Sequence, residues 1–375
     1  STLAHQRRTL KNILPADEID MKKRLLIVGA TVLSASIAYQ FAAEPVIRSV
    51  IKLVATKRLS TDVMKTLPDG LHIGLCGAGA PFADEKRSGP CTLIVAGQRL
   101  FIIDTGSGSA HHITAMGFNP GRIEAIFLTH FHSDHIDGLG ELMLQRWGAN
   151  ANKQPVTVYG PTGVDQVVSG FLQAYGQDQQ YRVDHHGDHI MPRSGYGGLA
   201  KPFSVPSQGR VMIIQEPDLE ISAFSVEHSP VNPAVGYHIR YKDRRIVISG
   251  DTRKSAAVVN AAQGVDVLIH EALSAPMVAI LHDSAADVGR HNLKQVFTDI
   301  VNYHTSPPEA AEVAEEAKVG YLLLNHIVPP LPFSGAEKFF LADAEERFNG
   351  PIRIGKNGDF LSLPTGSKAI QVDAL

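Results

Sequence analysis

The chain has 375 residues, 44% of them apolar and 19% charged, which suits a globular protein of one large domain or two ordinary ones and excludes a disordered, collagen-like or polytopic membrane protein. Two cysteines exclude a disulfide framework and any cysteine-built zinc finger or iron–sulfur cluster. A net charge of -3 argues against a strongly basic nucleic-acid binder, while 17 histidines offer metal ligands or acid–base groups.

The lead comes first. Residues 1–66 hold eleven Lys/Arg against five Asp/Glu, a net of +6, so the remaining 24 basic and 33 acidic groups leave the body at −9. Met21-Lys22-Lys23-Arg24 precedes an uncharged run from Leu25 to Ala43, with Ser36-Ile37-Ala38 as a small-x-small site. That pattern reads as a secretory signal or an uncleaved membrane anchor, and a buried helix is the plain alternative. The expectation is an exported chain, periplasmic or anchored facing the periplasm, with a cytoplasmic chain as the alternative. Met21 suggests that the first twenty residues are an upstream extension. Residues 44–66 read as a basic amphipathic helix or linker near a membrane surface. The expected division is an extension over 1–66 and a single folded body over 67–375.

From Leu71 on, strands are predicted at 71–75, 91–96, 99–103, 124–129, 156–159, 211–215, 219–227, 236–241, 244–249, 266–270 and 319–325. Helices are predicted near 136–147, 163–175, 253–262, 307–317 and 336–348. The polar stretch 176–210 reads as a loop-rich insertion of the kind that forms lids. The whole is one large α/β domain of about 300 residues. Export would allow a Cys76–Cys91 disulfide; two buried free thiols are the expected state.

The decisive segment is Phe127-Leu128-Thr129-His130-Phe131-His132-Ser133-Asp134-His135. An apolar strand runs straight into four potential ligands. Alternation on extended backbone points His130 and His132 the same way, so both can grip one ion, while Asp134 and His135 on the turn face a second. Rigid strand ends are the natural source of the remaining ligands. His228, Asp251 and His326 each sit at such an end. One ion would take His130, His132 and His228, the other Asp134, His135 and His326, with Asp251 between them. Nitrogen and oxygen ligands suit two zinc ions, with manganese or iron as alternatives.

The His-x-His-x-Asp-His segment and its downstream ligands resemble the metallo-β-lactamase superfamily over roughly residues 71–365. The resemblance implies an αββα sandwich. Leu268-Ile269-His270-Glu271-Ala272 and His304-Thr305 are similar to two further motifs of the ribonuclease Z branch, which also holds arylsulfatases and small phosphodiesterases. It implies proton delivery by His304 with Glu271, catalytic work shared with Asp134, and support of the ligand loop by Asp104. His270 is expected behind the ligands or in the core. Arg253, His185 and His186, with His189 nearby, are candidates for substrate contact.

Departures shape the functional expectation. No Gly/Pro-rich arm for tRNA is visible, Ile327-Val328-Pro329-Pro330 replaces the usual polar stretch, and the body is acidic. Two metal ions about 3.5–4 Å apart generate a hydroxide that attacks a phosphorus or sulfur centre. The expected function is therefore hydrolysis of sulfate or phosphate esters, including diesters, of small anionic molecules, with nucleic acid an unlikely partner. The alternatives are a ribonuclease Z-like tRNA 3′ endonuclease, a lactonase or β-lactamase, and, least favoured, a metal-stabilised scaffold. Membrane attachment through the lead is an expectation; the oligomeric state is open, with a dimer compatible.

Overall fold

A computed structural model describes residues 16–375 of the chain. The chain divides after Thr61 into two compact units. The first is carried by α1 (Ala16–Ser60), which takes in the apolar run, Pro45 and the basic stretch beyond it. Described apolar side chains along it, such as Leu25, Val28, Ile47 and Leu59, are exposed. Among the described residues, no helix is long and apolar enough to cross a membrane, and many of the side chains in the run 25–43 lie outside the described residues. Most of the stretch ahead of Met21 lies outside the described residues.

The second unit begins at Asp62, and Met64 is already fully buried in its core. In chain order it runs β1 (Gly70–Gly77), β2 (Cys91–Ala96), β3 (Arg99–Ile103), α2 (Ser109–Ala115), β4 (Ile123–Phe127), α3 (Ser133–Ile136), α4 (Leu139–Ala149), β5 (Val156–Pro161), α5 (Val164–His186), β6 (Gly198–Phe203), β7 (Val211–Gln215) and β8 (Leu219–Ser225). It continues β9 (Val235–Tyr241), β10 (Arg244–Ile248), α6 (Ala256–Ala261), β11 (Val267–Leu273), α7 (Ala275–Asp287), α8 (His291–Asp299), α9 (Pro307–Glu316), β12 (Leu322–Val328), α10 (Ala336–Leu341), α11 (Ala344–Arg347), β13 (Ile352–Ile354), β14 (Asp359–Pro364) and β15 (Gln371–Ala374).

The strands form two sheets, ordered β15-β14-β1-β2-β3-β4-β5-β6 and β13-β12-β11-β10-β9-β8-β7. Alternating residues explain the layering. Ile73, Phe101, Phe127, Tyr237, Ile246, Ile269 and Leu323 meet between the sheets. Their neighbours Leu93, Ile102, Ile126 and Val158 face outward and pack on α2, α4 and α5 through Ile113, Leu142, Met143 and Val168. Val247, Leu268, Leu322 and Leu324 face outward from the other sheet onto α6, α9 and α10. Strands covered on both faces read as continuous apolar runs, which is why most of them were visible in the sequence. The result is the αββα sandwich expected, one large domain. Helix α9 lies close against its sheet because Ala310, Ala311 and Ala314 have small side chains, and Ser306 and Glu309 close a capping box at its start.

Several elements depart from the sequence reading. The stretch 176–210 is not a loop-rich lid: α5 continues to His186 and β6 follows. Its last turns are polar on most faces and are held by Gln180–Asp184 and Arg182–Asp178 contacts at 2.6 and 2.7 Å, a support that hydrophobic periodicity does not register. The hairpin α7–α8 and strands β13–β15 were missed; β15 is an exposed edge with no buried face. The predicted helix 336–348 is two short helices, broken where Ala342 takes φ 51°. The cysteines are not free. A disulfide joins Cys76 at the end of β1 to Cys91 at the start of β2, with Cα atoms 5.0 Å apart. It brackets the loop 78–90, which packs against the metal-ligand loop: a Cβ on Gly106 would lie 2.3 Å from the Gly89 carbonyl carbon and 2.4 Å from Asp134 O.

Topology gathers the site. β3, β4 and β5 run parallel, as do β10, β11 and β12, so their carboxyl ends open along one edge of the sandwich.

Candidate metal centre

Four segments leave that edge together. The backbone after β4 carries Thr129 through His135 into α3; His228 follows β8, Asp251 follows β10, and His326 lies within β12. Among the described residues, His130, His132, His228 and Asp251 bring one donor atom each within 4.8 Å of one another, and Asp134, His135 and His326 do the same. His130 Nε2 lies 3.0 Å from His132 Nδ1, and His228 Nε2 lies 3.4 Å from it. Asp251 Oδ2 stands between the groups, 3.3 Å from the Nε2 atoms of His135 and His326 and 3.8 and 3.9 Å from those of His130 and His228. His326 Nε2 is also 3.2 Å from Asp134 Oδ2. The seven residues therefore fall into the two sets read from the sequence, with Asp251 touching both.

Two of these positions are held by unusual backbone. His326 takes φ 46° where β12 slips one residue against β11, pairing Asn325 with Glu271 and Ile327 with Ala272. The bulge turns the His326 imidazole to the cluster. Asp104, just past β3, takes φ 59°. Non-glycine residues in this region are held there by their surroundings, and functional sites are where they collect.

Asp104 is hydrogen-bonded to the loop that carries His130 and His135. Its carboxylate accepts from Thr129 N and Thr129 Oγ1, each at 2.8 Å, and from His135 Nδ1 at 2.8 Å. Thr129 Oγ1 also lies 3.0 Å from His130 Nδ1. His228 Nδ1 donates to Tyr303 O at 3.0 Å. In each case the second ring nitrogen is fixed by the protein, which leaves the donor nitrogen bare toward the cluster. Asp104→Ala is expected to lower affinity for the ion near His135 by about 10–100-fold, read by chelator competition.

The residues fit a divalent cation. His135 Nε2 is buried without a hydrogen-bond partner, and the donors are nitrogen and oxygen throughout. Burial opposes charge on Asp251, yet His326 and His135 beside it hold its pKa well below the usual carboxylate range. Burial opposes charge on His135 too, but Asp251, Asp104 and Asp134 outweigh it and push its pKa well above the ordinary imidazole value. A buried focus of negative charge ringed by imidazoles is a seat for a cation, and the cation displaces the protons that otherwise occupy it.

His304 Nδ1 lies 3.0 Å from Glu271 Oε1, and the same oxygen accepts from Thr252 N and Thr305 N, each at 3.1 Å. Burial works against a charged His304, but the Glu271 carboxylate lifts its pKa to about 9. The His304 ring stacks on His326 at 5.4 Å and tilts over His228 at 5.3 Å, beside both groups of ligands.

Other sequence candidates fall elsewhere. His185 and His186 end α5 on the exposed outer side, and His186 lines a groove with Thr114, Glu141 and Met191, away from the cluster. His189 is likewise exposed. His270 faces outward from β11, fully buried, with Nδ1 2.8 Å from Glu271 O. Arg253 is exposed near the rim and pairs with Glu227 at 3.4 Å. Two residues went unnoticed in the sequence. Tyr303 packs on His228 and His304 with centroids at 5.1 and 4.9 Å, and Asn325 is buried beside Glu271. Tyr303 adjoins a motif residue, a signal open to reading; Asn325 offered none.

Residues 85–284 match the Metallo-beta-lactamase superfamily. The chain is 33% identical over 287 residues to the ribonuclease Z of Mycolicibacterium gilvum, covering 76% of this chain and 93% of that protein. It is 33% identical over 289 residues to the ribonuclease Z of Mycobacterium bovis, covering 76% and 96% respectively. Among solved structures, the metallo-beta-lactamase fold protein YhfI of Bacillus subtilis superposes with a TM-score of 0.55 at 19% identity, over 78% of this chain and all of that one. The short form of human tRNase Z superposes at 0.54, also 19% identical, over 78% and 99%. These relatives overturn the expectation of a small-molecule ester as partner with nucleic acid unlikely. The acidic total misled because charge summed over a whole surface says little about what one local site binds.

Proposed function

We propose that this chain, which belongs to the metallo-beta-lactamase superfamily and is a metal-dependent hydrolase, cleaves phosphodiester bonds of RNA as its ribonuclease Z relatives do. The observation that carries the reading is the buried His304–Glu271 pair set against both groups of metal-binding side chains. His130, His132 and His228 would hold one divalent cation and Asp134, His135 and His326 the other, with Asp251 shared; zinc suits the donors best. When bound, such a pair supplies a water activated at neutral pH and neutralises charge on the phosphoryl oxygens. The chain's own residues do the rest. Asp104 and Thr129 fix the imidazoles of His135 and His130. As water oxygen bonds to phosphorus and the bond to the ribose oxygen breaks, that oxygen needs a proton. His304 gives it from Nε2, since Nδ1 faces Glu271, and Glu271 stabilises the charged imidazole beforehand.

Location belongs to the same proposal. Disulfides persist in oxidising compartments, so Cys76–Cys91 supports an exported body over a cytoplasmic one, and fractionation of the native chain decides it. The functional test is a panel of precursor tRNA with a 3′ trailer, bis-p-nitrophenyl phosphate, p-nitrophenyl sulfate, a lactone and nitrocefin. Chelator-sensitive endonucleolytic cleavage of the RNA is expected. Turnover of the sulfate ester, lactone or nitrocefin with intact RNA would overturn the reading.

A further inference from the structure

Behind the ligands, between the sheets, lies a small cavity of about 20 Å³ whose polar lining residues include Asp104, His135, Asp251, Glu271, Asn325 and His326. Besides His135 Nε2, which lies 3.3 Å from Asp251 Oδ2 in the ligand cluster, three buried polar atoms of the lining residues have no protein partner: His326 Nδ1, Asn325 Oδ1 and Glu271 Oε2. They come from adjoining positions. Glu271 and Asn325 face each other in register across β11 and β12, so their side chains stand together on the inner face, and His326 is the bulged residue next to them. The buried ligand histidines otherwise have their far nitrogens tied: His130 to Thr129, His135 to Asp104 and His228 to Tyr303. His326 alone among these four lacks such a tie, yet an imidazole that offers Nε2 to a metal carries its proton on Nδ1 and must place it somewhere.

We propose that one ordered water occupies this cavity, accepting from His326 Nδ1–H and donating to Asn325 Oδ1 and Glu271 Oε2. The chemistry balances: one donor and two acceptors are left over on adjoining residues, a water can satisfy all three, and a space of this size holds a single molecule with 2–4 polar partners. Each of these atoms left unsatisfied would carry its desolvation cost without a compensating hydrogen bond, which is the reason for the cavity to be wet. Asn325 then becomes a positioning residue. Its amide Nδ2 lies 3.4 Å from Thr92 Oγ1 and leaves Oδ1 toward the water, so it orients the His326 imidazole without touching metal or substrate. The water also joins two parts of the site. Glu271 uses Oε1 for His304, Thr252 and Thr305, and Oε2 through the water for His326, so one carboxylate steadies both the proton donor and a metal ligand.

The inference rests on His326 as a metal ligand, and the tests separate the two. A crystal structure of the zinc-loaded full chain, at a resolution that shows waters, is expected to place one within about 2.7–3.2 Å of all three atoms. Metal bound at His326 with no density there, or with Nδ1 bonded directly to protein, overturns the water and leaves the metal reading standing. No metal at His326 overturns both. Asn325→Leu, which removes the acceptor, is expected to weaken the ion near His326 by about 10–100-fold while the His130, His132 and His228 site keeps its affinity. Asn325→Asp, which keeps an acceptor oxygen, is expected to restore most of that loss. Equal affinity of both ions for wild type and Asn325→Leu would overturn the positioning role. Should the leucine variant not fold, the wild-type density decides alone.

Discussion

Asp251→Asn is expected to strip the chain of divalent metal and lower kcat by about 10³-fold or more, because each 1.36 kcal/mol of lost transition-state stabilisation is tenfold and a bound ion supplies several. The geometry sets the expectation. One carboxylate oxygen stands 3.3–3.9 Å from the nitrogens of four imidazoles, at 3% exposure. Asparagine keeps the volume and the hydrogen-bonding shape, so the fold survives, but it removes the one charge that both groups of ligands share. What remains is five imidazoles and the single Asp134 carboxylate, which offsets little of the charge of two adjacent cations. The check is metal content by mass spectrometry beside thermal melting. Retention of both ions with wild-type kcat would remove Asp251 from the centre.

His304→Ala is expected to cost about 10²–10⁴-fold on RNA, the range for a lost general acid, and far less on bis-p-nitrophenyl phosphate, whose leaving group departs without a proton. Equal losses on both would assign His304 a structural part, such as packing on His326 and His228. The pH profile gives an independent sign. Glu271 raises the His304 pKa to about 9, so the imidazole is protonated at neutral pH and proton donation fails as pH rises through that value. Glu271→Gln withdraws the raising charge. Its alkaline limb is expected to move to lower pH, whereas a limb that does not move would separate Glu271 from the acid.

The four ligands after β4 were legible because they sit within six residues at the end of one apolar strand, where pattern and chemistry coincide. His228 and Asp251 were legible for the same reason, each at a strand end. His326 was identified although it lies inside β12; the bulge that aims it is a backbone event that apolar alternation does not report. Asn325, buried between β11 and a cavity, looks from the sequence like any polar residue near a strand end. The disulfide depends on how β1 and β2 register, a tertiary fact that two isolated cysteines do not carry. Helix α7 was hidden because exposed apolar residues such as Ile280 blur its amphipathic pattern, whereas α8 has a clear apolar side around Phe297 that the sequence reading passed over. His185 and His186 misled by clustering: polar residues at a helix end can gather on a solvated face with nothing to bind.

The claim that all else depends on is that these seven side chains form a two-metal centre. Inductively coupled plasma mass spectrometry on the full chain, purified without added metal and then titrated with zinc, tests it most directly. The account predicts saturation at about two equivalents per chain, falling on substitution at either group of ligands. Saturation below one equivalent, or two equivalents unaffected by Asp251→Asn, would contradict it.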